Sequence, residues 1–301
     1  VRITQQAMTH MTLRRLQDRL DQLTRAQADL GTGKRIHRPS DDPSAMNRAM
    51  SIRSRQAATD QAVRNAGDGL LWTSLADSKL QTLLDRLHRA RELAIRSGSV
   101  TNATERAAFV AELEAIRQES IAIANSKIGD RALFAGTADG DAVALADPTD
   151  PASAVVYLGN DGEVIRRVGP KDEVKVNVSG DRVFFGTDPG DVDLFSALQG
   201  LADEISADND AGVQTMLDAI DGAMDRILTA LAELGAATNR IEAAQRRASD
   251  EKLSLQDDLA QVESIDVAEA IMQLQLQQVA YEATLGALAR SIQPSLIDFL
   301  R

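Results

Sequence analysis

Leu13, Leu16, Leu20, Leu23 and Leu30 follow one another at steps of three and four residues, with the polar Gln27 at the one missing step. On a helix this spacing lines all five leucines along one stripe, the seam of a coiled coil with a single polar insertion. A second helical run starts near Pro43, shows its seam most clearly at Ala76, Leu80, Leu83, Leu87, Ala90 and Ala94, and stops at Ser97-Gly98-Ser99. Gly67 and Gly69 lie inside it and argue against an unbroken helix. A third helix is predicted after Thr101-Asn102, with Phe109, Leu113, Ile116, Ser120 and Ile123 on one face. Helical spacing returns at Leu194 and holds from Leu217 through Ile220, Met224, Ile227, Leu231, Leu234, Thr238 and Ile241 to Val262, with Gln245 and Lys252 as polar insertions. Polar residues at such positions fix register at some cost in stability. Asp266 and Glu269 have capping-box spacing, and a final helix carries Val267, Ile271, Leu274, Tyr281, Leu285, Leu288 and Ile292.

Between the helical halves the period changes. Residues 128–191 are rich in Gly, Pro and Asp and hold strand-like stretches at Ala154–Leu158, Glu163–Arg167, Glu173–Ser179 and Arg182–Phe185. Gly159-Asn160-Asp161-Gly162 predicts a hairpin between the first two. The fold class that follows is mainly α. The N- and C-terminal halves form a long helical bundle or coiled-coil rod, with a small β-rich domain inserted in the middle. The expected segments are a terminal helix and hinge at 1–42, helices at 43–136, the β-rich insert at 137–192, helices at 193–263 and a terminal helix at 264–301. Each end is an amphipathic helix whose seam needs the other end, or another copy of the chain, to cover it. The seams lack Trp and Phe apart from Phe299, which favours helix pairing over a membrane surface.

The stretch DLGTGKRIHRPSDDPSAMNRA, residues 29–49, admits two readings. Gly33-Lys34 looks like the end of a phosphate-binding loop, but the early glycine position holds Ala28, Arg35 follows the lysine, and no strand precedes it. A hinge fits better. Gly31 and Gly33 can take positive φ and close a helix. Ser40, Asp41 or Asp42 can cap the next one, with Pro43 in its first turn. Lys34, Arg35 and Arg38 then lie just past a helix C-terminus, and Asp41 and Asp42 at a helix N-terminus, each where the helix dipole favours its charge.

Composition narrows the function. The chain has no cysteine, which removes disulfides, thiol catalysis and thiolate metal sites together. His10, His37 and His88 are far apart; only His88 has a Glu four residues on, Glu92, and that reads as a surface pair. No nucleophile–base pair, metal cluster or phosphate cradle emerges, so no enzymatic activity, cofactor or small-molecule substrate is expected. Net charge is −12 and unevenly placed: residues 1–60 carry eleven Lys/Arg against six Asp/Glu, and residues 137–212 five against sixteen. The basic residues are interleaved with leucines and lack aromatic stacking partners, which argues against nucleic acid. The first twenty residues lack the apolar core of a cleavable signal, and no stretch of 18 apolar residues occurs.

At this point several stretches, taken in order, resemble the bacterial flagellin and hook-associated protein family. Leu30-Gly31-Thr32-Gly33-Lys34-Arg35-Ile36 with Pro39-Ser40-Asp41-Asp42-Pro43 looks like its N-terminal signature, and Arg64–Leu70 and Ala90–Ala94 like its second helix. NSKIGDRALFAG, residues 125–136, is similar to the hook–filament junction branch, and Leu234–Ile241 and Ser264–Leu300 to the C-terminal half. The resemblance implies a structural axial protein of the flagellum, exported unfolded by the flagellum's own type III apparatus, with terminal helices forming a polymer core. Implied partners are further copies of itself, another hook-associated junction protein, flagellin and a cytoplasmic export chaperone. Within the family the alternative is a short flagellin; outside it, a helical coiled-coil signalling or adhesin protein. On this reading the assembly residues are Leu13, Leu16, Leu20, Leu23, Leu30, Ile271, Leu274, Leu285, Leu288 and Ile292. The hinge residues are Gly31, Gly33, Lys34, Arg35, Asp41, Asp42 and Pro43.

Overall fold

The computed structural model describes residues 2–99, 102–187 and 190–297, without the side chains of residues 2–9, 12 and 290–297. Ile292 lies outside the described side chains. The helices are α1 (Arg2–Thr32), α2 (Pro43–Ser97), α3 (Ala103–Ala124), α4 (Leu194–Ser206), α5 (Asp210–Glu263) and α6 (Val267–Ile297). The strands between α3 and α4 are β1 (Lys127–Ile128), β2 (Arg131–Ala132), β3 (Val143–Leu145), β4 (Val155–Tyr157), β5 (Ile165–Arg167) and β6 (Glu173–Lys175). The chain divides into two compact units: one holds the residues up to Ala57 and those from Lys252 onward, the other Ala58–Glu251.

The periodic seams become the core of the Ala58–Glu251 unit. Leu80, Leu83, Leu87 and Ala90 of α2 are fully buried, as are Leu113 of α3, Leu198 and Leu201 of α4, and Ile220, Ile227 and Ile241 of α5. α2 runs unbroken through both glycines. At Gly69 a Cβ would come within 3.1 Å of Ile241 Cδ1, so the missing side chain lets α5 approach closely. Thr73 and Thr238, also on α2 and α5, share a 2.9 Å hydrogen bond. α3 starts where its cap predicts: the Asn102 side chain accepts from the Thr104 amide at 3.0 Å.

The strands pair as β1–β2, β3–β4 and β5–β6, each antiparallel and two-stranded. They share one hydrophobic cluster with the helices, through Ala132, Val143, Val155 and Val174. Phe134, Tyr157, Phe184, Phe185 and Phe195 interlock there at centroid distances of 5.3–6.0 Å, so most of the chain's few aromatic residues gather at one place. Two expectations are corrected. The predicted hairpin across Gly159–Gly162 does not form, because β4 pairs with the earlier β3 and β5 with the later β6. The turn residues serve a crossing instead. Asn160 Oδ1 accepts from the amides of Thr137 and Gly162, both at 2.9 Å, and Gly159 leaves room for the Tyr157 ring. The predicted strand Arg182–Phe185 is a π-helical turn, Asp181–Phe185. Consecutive residues Val183 and Phe184 are both buried, and a strand would have turned one of them to the opposite face.

Candidate functional site: a double joint and an uncovered helix face

In the first unit, α1 ends on Gly33, whose φ of +69° lets its amide donate to Asp29 O at 2.8 Å. Gly31 stays within α1 and its φ is not positive, so only one of the two expected glycines makes the turn. The chain then pairs with the link between α5 and α6. The Arg35 amide donates to Glu263 O at 2.8 Å and the Ile265 amide to Gly33 O at 3.2 Å, with Lys34 opposite Ser264. Ile36 is buried just beyond. The hinge predicted near residue 34 is therefore one half of a double joint, tied to residues 263–265.

Charge organises this joint, though around a different helix from the one expected. Glu263 stands in the last turn of α5, where a carboxylate opposes the helix dipole. Lys34 Nζ meets Glu263 Oε2 at 3.1 Å and Arg53 Nη2 meets Oε1 at 2.6 Å, and the carboxylate is nearly buried between them. Arg35 donates to Val262 O at 3.0 Å and lies 3.5 Å from Asp42. Lys34 and Arg35 thus serve the C-terminus of α5 rather than that of α1. Asp42 caps α2, accepting from the Ala45 amide and the Ser44 hydroxyl, both at 3.0 Å, with Pro43 as the first helical residue. Asp41 accepts from the amides of Arg38 and His37, at 2.8 and 3.1 Å. His37 is exposed and pairs with Asp29 at 2.8 Å. The expected His88–Glu92 pair is replaced by one between Glu92 and Arg89, at 2.8 Å.

The Arg38 and His37 amides hold Asp41 below the ordinary aspartate value of 3.8, and the Ala45 amide and Ser44 hydroxyl do the same for Asp42. A carboxylate that binds its proton more weakly when folded contributes stability above its unfolded pKa and loses it as pH falls through the folded one. Protection of the His37, Arg38 and Ala45 amides against hydrogen exchange should therefore fall as pH is lowered below 3.8, through the folded values.

α1 and α6 pack against each other. On α6 the half-buried face is Ala270, Leu274, Gln277, Tyr281, Thr284 and Leu288, an alternation of four- and three-residue steps. Leu16, Leu23 and Leu30 of α1 are likewise half-buried, whereas Leu13, Leu20, Ile271 and Leu285 of the expected seams are more exposed. None of the nine seam residues with a described side chain, or of their described neighbours on these two helices, reaches full burial. A second stripe runs along α6: Met272, Leu276 and Val279, at 64%, 67% and 65% exposure, followed by the exposed Ala283. At 100° per residue this stripe lies opposite the α1-facing one. α6 carries only Glu269, Glu282 and Arg290 as charged residues, and apolar side chains occupy both its α1-facing side and the side opposite.

Glu263 and the Met272–Leu276–Val279 stripe escaped the sequence reading. Both left a signal: an acidic residue in a helix's last turn with no basic neighbour there, and a second set of apolar residues at four- and three-residue spacing. No helix among the described residues is long and apolar enough to cross a membrane.

Comparison with known proteins agrees with this arrangement. The model of the bacterial flagellin N-terminal helical region matches residues 3–139, and that of the bacterial flagellin C-terminal helical region matches residues 217–300, together well over half the chain. A flagellin of Halalkalibacterium halodurans is 26% identical over 91% of this chain and 89% of its own length. Flagellar hook-associated protein 3 of Escherichia coli is 23% identical over 95% of this chain and 96% of its own length. The crystal structure of a flagellar junction protein from Legionella pneumophila shares the fold, with a TM-score of 0.59 and 17% identity over 73% of this chain and all of that one. With its paired terminal helices, its joint after α1 and the two matching terminal regions, the chain belongs to the bacterial flagellin family.

Proposed function

We propose that this chain is a structural axial subunit of the bacterial flagellum that joins hook to filament, self-assembling outside the cell through its terminal helices. The observation that carries the reading is the uncovered face of α6. Met272, Leu276 and Val279 stand exposed on a helix already paired through its other side. Each such side chain gains about 1.5–3 kcal/mol when fully buried, and repetition around a ring of subunits multiplies the gain. On this reading residues 1–42 and 264–301 supply the polymer core, 43–136 and 193–263 the helical body, and 137–192 its strand-rich part. Its neighbours are further copies, a second hook-associated junction protein and flagellin. A cytoplasmic export chaperone covers the Ile271–Ile292 seam of α6 before secretion, since an apolar seam left without its partner invites premature association.

The similarity to a flagellin at 26% identity favours a second reading, a short filament subunit. Deleting the gene separates the two. Loss of a junction subunit leaves hooks without filaments while flagellin accumulates in the medium, and a plasmid copy restores filaments. Loss of a filament subunit removes the filament protein itself, so no leaked flagellin is found.

A further inference from the structure

Along one side of α1 the residues Arg15, Arg19, Gln22, Ala26 and Asp29 follow at steps of four and three, a single stripe. Its lower end, Ala26 and Asp29, lines a groove of about 200 Å³ with Arg35, Asp266, Glu269 and Gln273 among its other walls. The two ends of this side carry opposite charge. At the groove Asp29, Asp266 and Glu269 outnumber Arg35. Asp29 is hydrogen-bonded to the His37 ring at 2.8 Å, and Arg35 is ion-paired with Asp42 at 3.5 Å. Asp266 Oδ1 accepts from the backbone amides of Ala268 and Glu269, at 2.9 and 3.2 Å, and among the described residues Glu269 accepts only from the Gln273 side chain, at 3.1 Å. Among the described residues neither Asp266 nor Glu269 meets a cation within ion-pair distance, Arg15 meets no carboxylate, and Arg19 reaches only the Gln22 amide at 2.9 Å. Arg19 and Asp29 stand about 15 Å apart along the helix axis, beyond the screening length of about 8 Å in physiological salt. The two ends therefore do not neutralise one another within one chain.

We propose that a second copy of this chain docks along this side, displaced by about 15 Å, so that its Arg15 and Arg19 sit on the Asp266–Glu269 end of the groove. The inference rests on the self-assembly reading above and adds the direction and offset of one contact. It pairs unlike patches of identical chains, a heterologous contact that repeats from copy to copy. Opposite charges at this distance fix register and reject misaligned neighbours more than they add affinity.

The test is a charge exchange in cells lacking their own copy of the gene. Arg15→Glu with Arg19→Glu, and separately Glu269→Arg, should each yield chain secreted at the wild-type level but filament-bearing hooks reduced about tenfold. Combining all three substitutions should restore filaments. Wild-type filament numbers in either reversed variant, or no restoration in the combined one, overturns the docking arrangement. The wild-type chain is scored in the same strain. If it restores filaments while the reversed charges cost nothing, the docking falls and the junction role stands.

Discussion

Replacing Leu276 and Val279 by glutamate should give a folded, secreted chain that builds no junction. Both side chains are about two-thirds exposed, so the substitutions remove little packing within the chain. Surface changes of that kind normally shift stability by about 0.5 kcal/mol or less. In an assembly that buries the stripe, the loss is the burial of two apolar side chains, about 3–6 kcal/mol, and the desolvation of two carboxylates adds to it. That is about a hundredfold or more in association. Circular dichroism melting of the purified variant should match the wild type, immunoblots should find it in the medium, and electron microscopy should find bare hooks. Normal filaments would mean that this face of α6 meets solvent in the polymer.

The complementary experiment strikes the fold and leaves the helix ends untouched. Phe184 is fully buried, edge-on to Phe134 at 5.3 Å and tilted against Phe195 at 6.0 Å. Phe184→Ala empties the centre of the aromatic cluster and should cost about 3–5 kcal/mol. For a unit of this size that lowers the melting temperature by about 6–20 °C. Arg117 makes the neighbourhood less tolerant still. Its buried guanidinium donates to Phe195 O at 3.2 Å and to Ser153 O at 2.6 Å, tying the β3–β4 loop to the residue on which Phe184 rests. Burial pushes its pKa below the usual arginine range, with Asp193, Asp150 and Asp203 opposing that shift from a distance. A melting temperature within a degree or two of the wild type would show that the cluster fills space without holding the strand pairs in place.

Helices were the most legible part of the chain because their signal repeats. The seam from Ala76 to Ala94 and that from Leu217 to Ile241 each carry several turns of consistent spacing, and the buried residues fall on them. The strand-rich segment was readable only as a class. Its strands are two or three residues long, too short for a period of two to show. Gly159–Gly162 has the composition of a hairpin turn, but its partners were decided by Asn160 reaching Thr137 and by the Tyr157 ring. At the joint, Gly33, Asp42 and Pro43 announced themselves because local backbone geometry selects them. Glu263 did not, since Lys34 and Arg53 lie more than two hundred residues away in sequence. The apolar stripe at Met272, Leu276 and Val279 was hidden by a stronger neighbouring pattern: when a helix is apolar on two sides, no single face stands out.

Where the chain resides along the flagellum tests the account most directly. An epitope placed between Asp139 and Gly140 occupies an exposed turn in which Gly140 has φ of +100° and open space at its Cβ position. In cells made motile by that tagged chain, immunogold electron microscopy should show gold in a single cluster where each filament meets its hook. Gold distributed along the whole filament would contradict the junction role.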